Sequence, residues 1–245
     1  MKHFCIALLG VACVLGAASA RAQNYRDPLH PLGAPTGFAA IDRPTGIAEA
    51  GVGWLTLPGA DVCIERRTGC SKGDTSLALD LWQLYRQSRS LAFGAGILLA
   101  LIPTTDAPKE DPEGVERDHT RRYFTVEGMI RYYPYVGEAV EWWVGATGGL
   151  VVVSDRFVVA EDVEDDRALL GPRGVTVRTE GGTIGIAGGP VLSLAPNWSL
   201  GLNFRYAQWF LPNQPARDPL GSEASLTGRN SVFSIGASVA FRTEL

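Results

Sequence analysis

Eight stretches of this 245-residue chain place apolar and small or polar residues at alternate positions, the period of a strand with one oily side. They cover 47–57, 75–86, 91–101, 123–133, 140–153, 183–194, 198–210 and 231–241. The connections between them run long, short, long, short, long, short, long. A soluble sandwich has no reason to gather all its long connections at one end. A barrel crossing a membrane does, because its turns on one side are tight and its loops on the other are extended. Segments of about ten to twelve residues also match a tilted membrane strand. The fold class expected is therefore all-β: an eight-stranded antiparallel up-and-down transmembrane β-barrel.

The second segment is the ambiguous one. Leu77, Leu79 and Leu81 alternate with Ala78 and Asp80, yet Leu77, Leu81, Leu84 and Tyr85 also fit a helix capped by Asp74. The polar turn Gln87-Ser88-Arg89 and the clear alternation that follows favour a hairpin, and so a strand.

The start of the chain reads as an export signal. Lys2 and His3 precede an apolar run from Phe4 to Ala18, and Ala20-Arg21-Ala22 offers the small-x-small pattern of a cleavage site. Residues 1–22 are expected to leave as a signal peptide with cleavage before Gln23; a cut after Ala20 is the alternative. The run is too short to span a membrane as a helix. Cys13 could suggest lipidation, but Gly10 stands where a lipobox wants a leucine. Without a second long apolar run, membrane residence requires a barrel. Residues 23–46 hold Pro28, Pro31, Pro35 and Pro44 without any period and read as an irregular periplasmic leader. The barrel is assigned to 47–245.

Removing Lys2 and Arg21 takes the formal charge from -4 to -6, which leaves no basic surplus for nucleic acid. Many of the 29 glycines fall inside the β-like segments, as a tightly curved small barrel requires. Cys63 and Cys70 remain after cleavage, an even pair in an oxidising compartment, and are expected to close a small loop as a disulfide. A metal site there is the weaker reading, since no histidine or further cysteine lies nearby.

In the last segment Phe233, Ile235, Ala237, Val239 and Phe241 form one side, and Ser234, Gly236, Ser238 and Ala240 the other. Ser234, Gly236, Val239 and Phe241 fill a polar-x-Gly-x-x-apolar-x-apolar arrangement that resembles the terminal signal by which the assembly machinery recognises bacterial outer-membrane barrels. Such chains usually stop on an aromatic residue, whereas this one continues to Leu245. Over nearly the whole mature chain the organisation is similar to small eight-stranded outer-membrane barrels of the OmpA, OmpX and OmpW kind. That resemblance implies a monomer in the bacterial outer membrane, surrounded by lipid and lipopolysaccharide, with its function in loops or mouth and no cofactor.

Eight strands leave an interior just filled by side chains, or room for one small ligand. The inward set derived from the alternation is Glu49, Asp80, Glu127, Arg131, Glu141, Asn203, Arg205 and Arg242. Acids and bases in a narrow lumen should pair, because an unpaired buried charge is costly. A structural salt-bridge plug is the bland expectation; a gated ion path or proton route through Glu127 and Arg131 is the sharp one. Trp54, Trp142, Trp198, Tyr132, Tyr133, Tyr206 and Phe210 are expected in an interfacial girdle.

A lipid A-modifying enzyme needs a nucleophile within reach of a base. Among the mature residues the histidines are His30 and His119. His119 falls in a long connection, where Ser154 or Ser231 could approach it, but no spacing supports catalysis and a loop histidine is usually solvated. The acidic run Glu161, Asp162, Glu164, Asp165 and Asp166 matches no cation-binding loop. The expected role is non-enzymatic: structure or surface interaction through the long loops, or else transport of small apolar compounds.

Overall fold

The computed structural model describes residues 43–62, 71–105, 117–159, 174–217 and 223–245. Within them lie eight long strands and one of two residues: β1 (Thr45–Val62), β2 (Ser71–Arg86), β3 (Leu91–Ala100), β4 (Thr104–Thr105), β5 (Arg117–Val136), β6 (Val140–Val159), β7 (Gly174–Ala195), β8 (Trp198–Phe210) and β9 (Arg229–Glu244). Every long strand pairs antiparallel with its sequence neighbour. The first and last also pair, from Thr45 opposite Glu244 to Thr56 opposite Phe233, so the sheet closes on itself. Closure leaves no long strand with an unpaired edge. β4 sits beside β5, with Thr104 opposite Arg121. Segment 75–86 is a strand and not a helix: Leu79 pairs with Val52 on one side and Leu99 on the other.

Alternation sets what each strand buries. On β1, Val52 and Trp54 are exposed while Glu49, Leu55 and Leu57 are buried; on β9, Phe233, Ile235 and Val239 are exposed while Val232, Ser238 and Ala240 are buried. Side chains such as Ile186, Leu150 and Ile130 stand more than half exposed around the outside. A continuous belt of bare aliphatic and aromatic side chains would be a severe aggregation liability in water and is the outer wall that hydrocarbon requires. The wall is tightly curved. A Cβ on Gly149 would run into the carbonyl oxygen of Val126, and one on Gly94 into that of Gln83, so only glycine lets those neighbouring backbones approach.

The sequence offers 157–163 and 175–178 as continuations of the flanking strands beyond the membrane, and β6 does run on to Val159 and β7 does start at Gly174, whereas the extension of β5 from Arg117 differs from expectation. β5, β6 and β7 run for 20, 20 and 22 residues, well beyond ten to twelve. The excess lies past the apolar belt, where β6 and β7 stay in register up to Val158 opposite Gly174. Residues 211–217 and 223–228 pack against this extension: Ala224 joins Phe157 and Val177, while Leu211 and Leu226 join the interior cluster around Trp209 and Val153. Those contacts keep the inward face of the extension dry. At the opposite end β5 runs past 133 through Pro134 to Val136, because a bulge between Tyr132 and Tyr135 accommodates a residue without an N–H.

Most of the expected girdle is on the outer wall, Trp54, Trp142, Trp198, Tyr132, Tyr206 and Phe210 being exposed, although Trp54 lies away from the strand end. Tyr133 is corrected: it is 4% exposed and faces inward, on the same parity as Arg131. Cys63 and Cys70, the acidic run 161–166, His30 and residues 1–42 lie outside the described residues.

Candidate functional site

The interior is built in layers, each supplied by inward positions of facing strands. Nearest the short turns, Glu141 on β6 accepts hydrogen bonds from Arg86 on β2 at 2.7 Å and Arg242 on β9 at 2.8 Å. Its carboxylate is completely buried. The Arg86 guanidinium also lies 3.9 Å from the centroid of Tyr133, which explains the inward turn of that ring. Above this comes an apolar layer of Trp82, Leu84, Met129, Trp143 and their neighbours.

Mid-barrel, Arg131 donates to Glu49 at 2.6 Å, and Asn203 donates to the other oxygen of Glu49 at 3.2 Å. Arg131 lies 4.0 Å over the ring of Trp143. Arg205 donates to Glu127 from the same side of the strand bearing Asn203. Glu127 and Arg131, offered by the sequence as one route, thus belong to two separate pairs. Asp80 makes no direct ion pair among the described residues. It lines a cavity of about 20 Å³ with Arg131, Asn203 and Arg205, a volume that accommodates a water molecule. Asn203 Oδ1 and Arg205 Nε and Nη1 have no protein partner, so a bridging water from Asp80 would satisfy them.

A second apolar layer, including Leu55, Leu98, Val151 and Trp209, covers this centre. Beyond it Asp74 accepts from Arg121 at 3.0 Å, from Thr104 at 2.6 Å and from Tyr123. At the rim, His119 Nε2 stands 2.8 Å from Asp155 Oδ1, both side chains fully buried. Asp155 also accepts from the backbone N–H of Ser225, at 3.0 Å, and from its hydroxyl. The carboxylate therefore ties segment 211–228 to β6.

All eight expected lumen residues are inward, and seven of them enter these pairs; Asp80 stands apart across the cavity. The sequence reading missed Asp74, Arg86, Arg121, Asp155 and Ser225. Arg86 lies within its expected strand on the parity of Asp80, while Asp74 shares that parity and Arg121 that of Glu127 and Arg131 just beyond the expected ends, so carrying the alternation past those ends finds the latter two. His119 is corrected from a solvated loop residue to a buried strand residue. Ser154 alternates with the inward Val153 and Asp155 and faces out, and Ser231 bonds Gln208 on the outer wall; neither takes the approach to His119 considered above. Of the terminal signal, Ser234 and Gly236 line the interior cavity, Val239 is outward, and Phe241 packs 5.0 Å from Trp198.

No family model matches the chain, and no curated protein matches its sequence. Solved structures do match. Neisserial surface protein A is 11% identical with a TM-score of 0.49, covering 80% of this chain and 96% of its own. Ail of Yersinia pestis, solved with the heparin analogue sucrose octasulfate, is 10% identical with a TM-score of 0.44, covering 83% and 100%. The outer membrane protease OmpT from Escherichia coli is 10% identical with a TM-score of 0.38, covering 83% and 98%. By its ring closure and its outward apolar belt, the chain has the architecture of the small eight-stranded outer-membrane barrels.

Proposed function

We infer that this protein is a non-catalytic outer-membrane barrel, closed to conduction by its own side chains, that serves the cell surface through its extracellular extension. The observation that carries the reading is the stack of buried ion pairs around Glu141, Glu49, Glu127 and Asp74, separated by two apolar layers. A gated path would need those pairs to part, leaving buried charges unpaired at a cost of several kcal/mol each. Passage of small apolar molecules would need a continuous oily lumen, and the interior cavity of about 20 Å³ is walled partly by Asp80, Asn203 and Arg205. Among the described residues, the protruding β5–β6–β7 sheet with 211–217 and 223–228 reaches beyond the bilayer and can meet a partner. The test is conductance of the purified full chain in a planar bilayer. No steady current is expected from the wild type, and a stable open channel would overturn the closed-lumen reading.

A further inference from the structure

Outward positions of the protruding sheet carry a feature that the interior does not explain. Successive rows across β5, β6 and β7 can be read from the register. Val126, Leu150 and Gly182 form one row, Phe124, Val152 and Glu180 the next, Arg122, Ser154 and Arg178 the next, and Thr120, Arg156 and Thr176 the one above. The lowest row belongs to the apolar belt, with Leu150 67% exposed. On the neighbouring strand Phe210 pairs with Gly182, and just below it Tyr206, Gln208 and Ser231 share hydrogen bonds, marking the upper edge of the belt. With about 3.3 Å per residue and strands tilted about 40°, the two arginine-bearing rows rise about 10 to 15 Å above Val126 and Leu150, and about 5 to 10 Å above the last apolar side chains, Phe124 and Val152. That spans the headgroup layer flanking the hydrocarbon and the surface just above it.

Arg122, Arg156 and Arg178 are exposed and form no ion pair with any described residue. Strand spacing puts Arg122 and Arg178 about 10 Å apart, with Arg156 one row above and between them. Ser154, Thr120 and Thr176 add hydroxyls among them. Glu180 and Asp118 lie at the lower and upper margins, so the centre of the patch is cationic within a chain that is acidic overall. Guanidinium groups at this level face the phosphates of the outer leaflet, which they can bind bidentately.

We propose that Arg122, Arg156 and Arg178 form a binding site for the phosphates of an outer-leaflet lipid, the phosphorylated glycolipid anchor of lipopolysaccharide. The proposal rests on the membrane reading above. It gives the extension a definite ligand: the lipid fixes the depth and orientation of the sheet that meets the outside.

The test uses the full chain refolded in detergent micelles, titrated with phosphorylated lipid A, dephosphorylated lipid A and inorganic phosphate. Wild type should bind the phosphorylated lipid at least about tenfold more tightly than the dephosphorylated one, with a steep salt dependence. The triple variant R122Q/R156Q/R178Q should lose that preference, while R229Q, on a different strand, should keep it. These side chains are exposed, so folding should be intact, as the heat-dependent gel shift of barrels reports. Equal binding of both lipids, an unchanged triple variant, or inorganic phosphate binding as tightly as the lipid would each overturn the proposal. A wild type without the heat-dependent shift would remove the membrane reading with it, whereas a folded barrel indifferent to the arginines removes the lipid site alone.

Discussion

Glu141, Glu49 and Asp74 share one arrangement: a carboxylate with almost no exposure, held by an arginine from a strand across the lumen and by at least one further donor. Such pairs add little net stability when made, but are costly to break. Arg131→Met removes the cation from the Glu49 carboxylate and leaves it only neutral donors, Asn203 among them, and should cost about 3–5 kcal/mol. Replacing both partners, Glu49→Leu with Arg131→Met, should recover most of that loss. Urea unfolding in micelles checks both, and a double variant as unstable as the single one would show that the pair does more than neutralise itself. Glu141 and Glu49, though not Asp74, were legible in the sequence because a strand's two-residue period sorts charges by face. Their partners were not, since which arginine meets which acid depends on closing β1 onto β9. His119 was misplaced because nothing local to 117–120 signals that segment 211–228, a hundred residues later, covers it.

The elements divide into those held by lipid and those held by protein. β8 has its apolar row at Leu200, Leu202 and Phe204 with no covering side chains. Leu202→Arg, near the middle of that row, should cost about 2–4 kcal/mol in vesicles, and Gln208→Arg at the upper edge about 0–1 kcal/mol; equal costs would contradict the assignment of the belt. Segment 211–228 is held from inside instead, by Leu211, Leu226 and the Asp155–Ser225 bonds, and it turns back into β9 through Gly228, whose φ of +67° suits glycine. Asp155→Ala should strip Ser225 and His119 of their shared acceptor, at about 1–3 kcal/mol. The expected readout is faster tryptic cleavage at Arg217 with the barrel still heat-modifiable; unchanged cleavage would mean that the carboxylate does not hold the segment. The residue alternation located each of the eight long strands but not the two-residue β4. It missed the extension of β5 and offered those of β6 and β7 only as possible continuations, because alternation above the membrane becomes Arg122, Arg156 and Arg178 outside against Arg121, Asp155 and Val177 inside, a pattern without an oily face to count.

At the scale of the molecule, one barrel meets three surroundings: lipid on its outer wall, its own layered side chains within, and water around its extension. Burial of polar side chains and exposure of apolar ones is the inverse of a soluble domain, and it follows from closing an alternating sheet with its small and charged face inward. The direct measurement is a scan of single spin labels along β8, from Ser199 to Arg205, in vesicles, with Cys63 and Cys70 changed to serine. Labels replacing Leu200, Leu202 and Phe204 should be reached by oxygen dissolved in the bilayer, and those replacing Ser199, Gly201, Asn203 and Arg205 by neither oxygen nor a water-soluble nickel chelate. If the two sets do not alternate, or if the nickel chelate reaches the first set, lipid does not cover this wall.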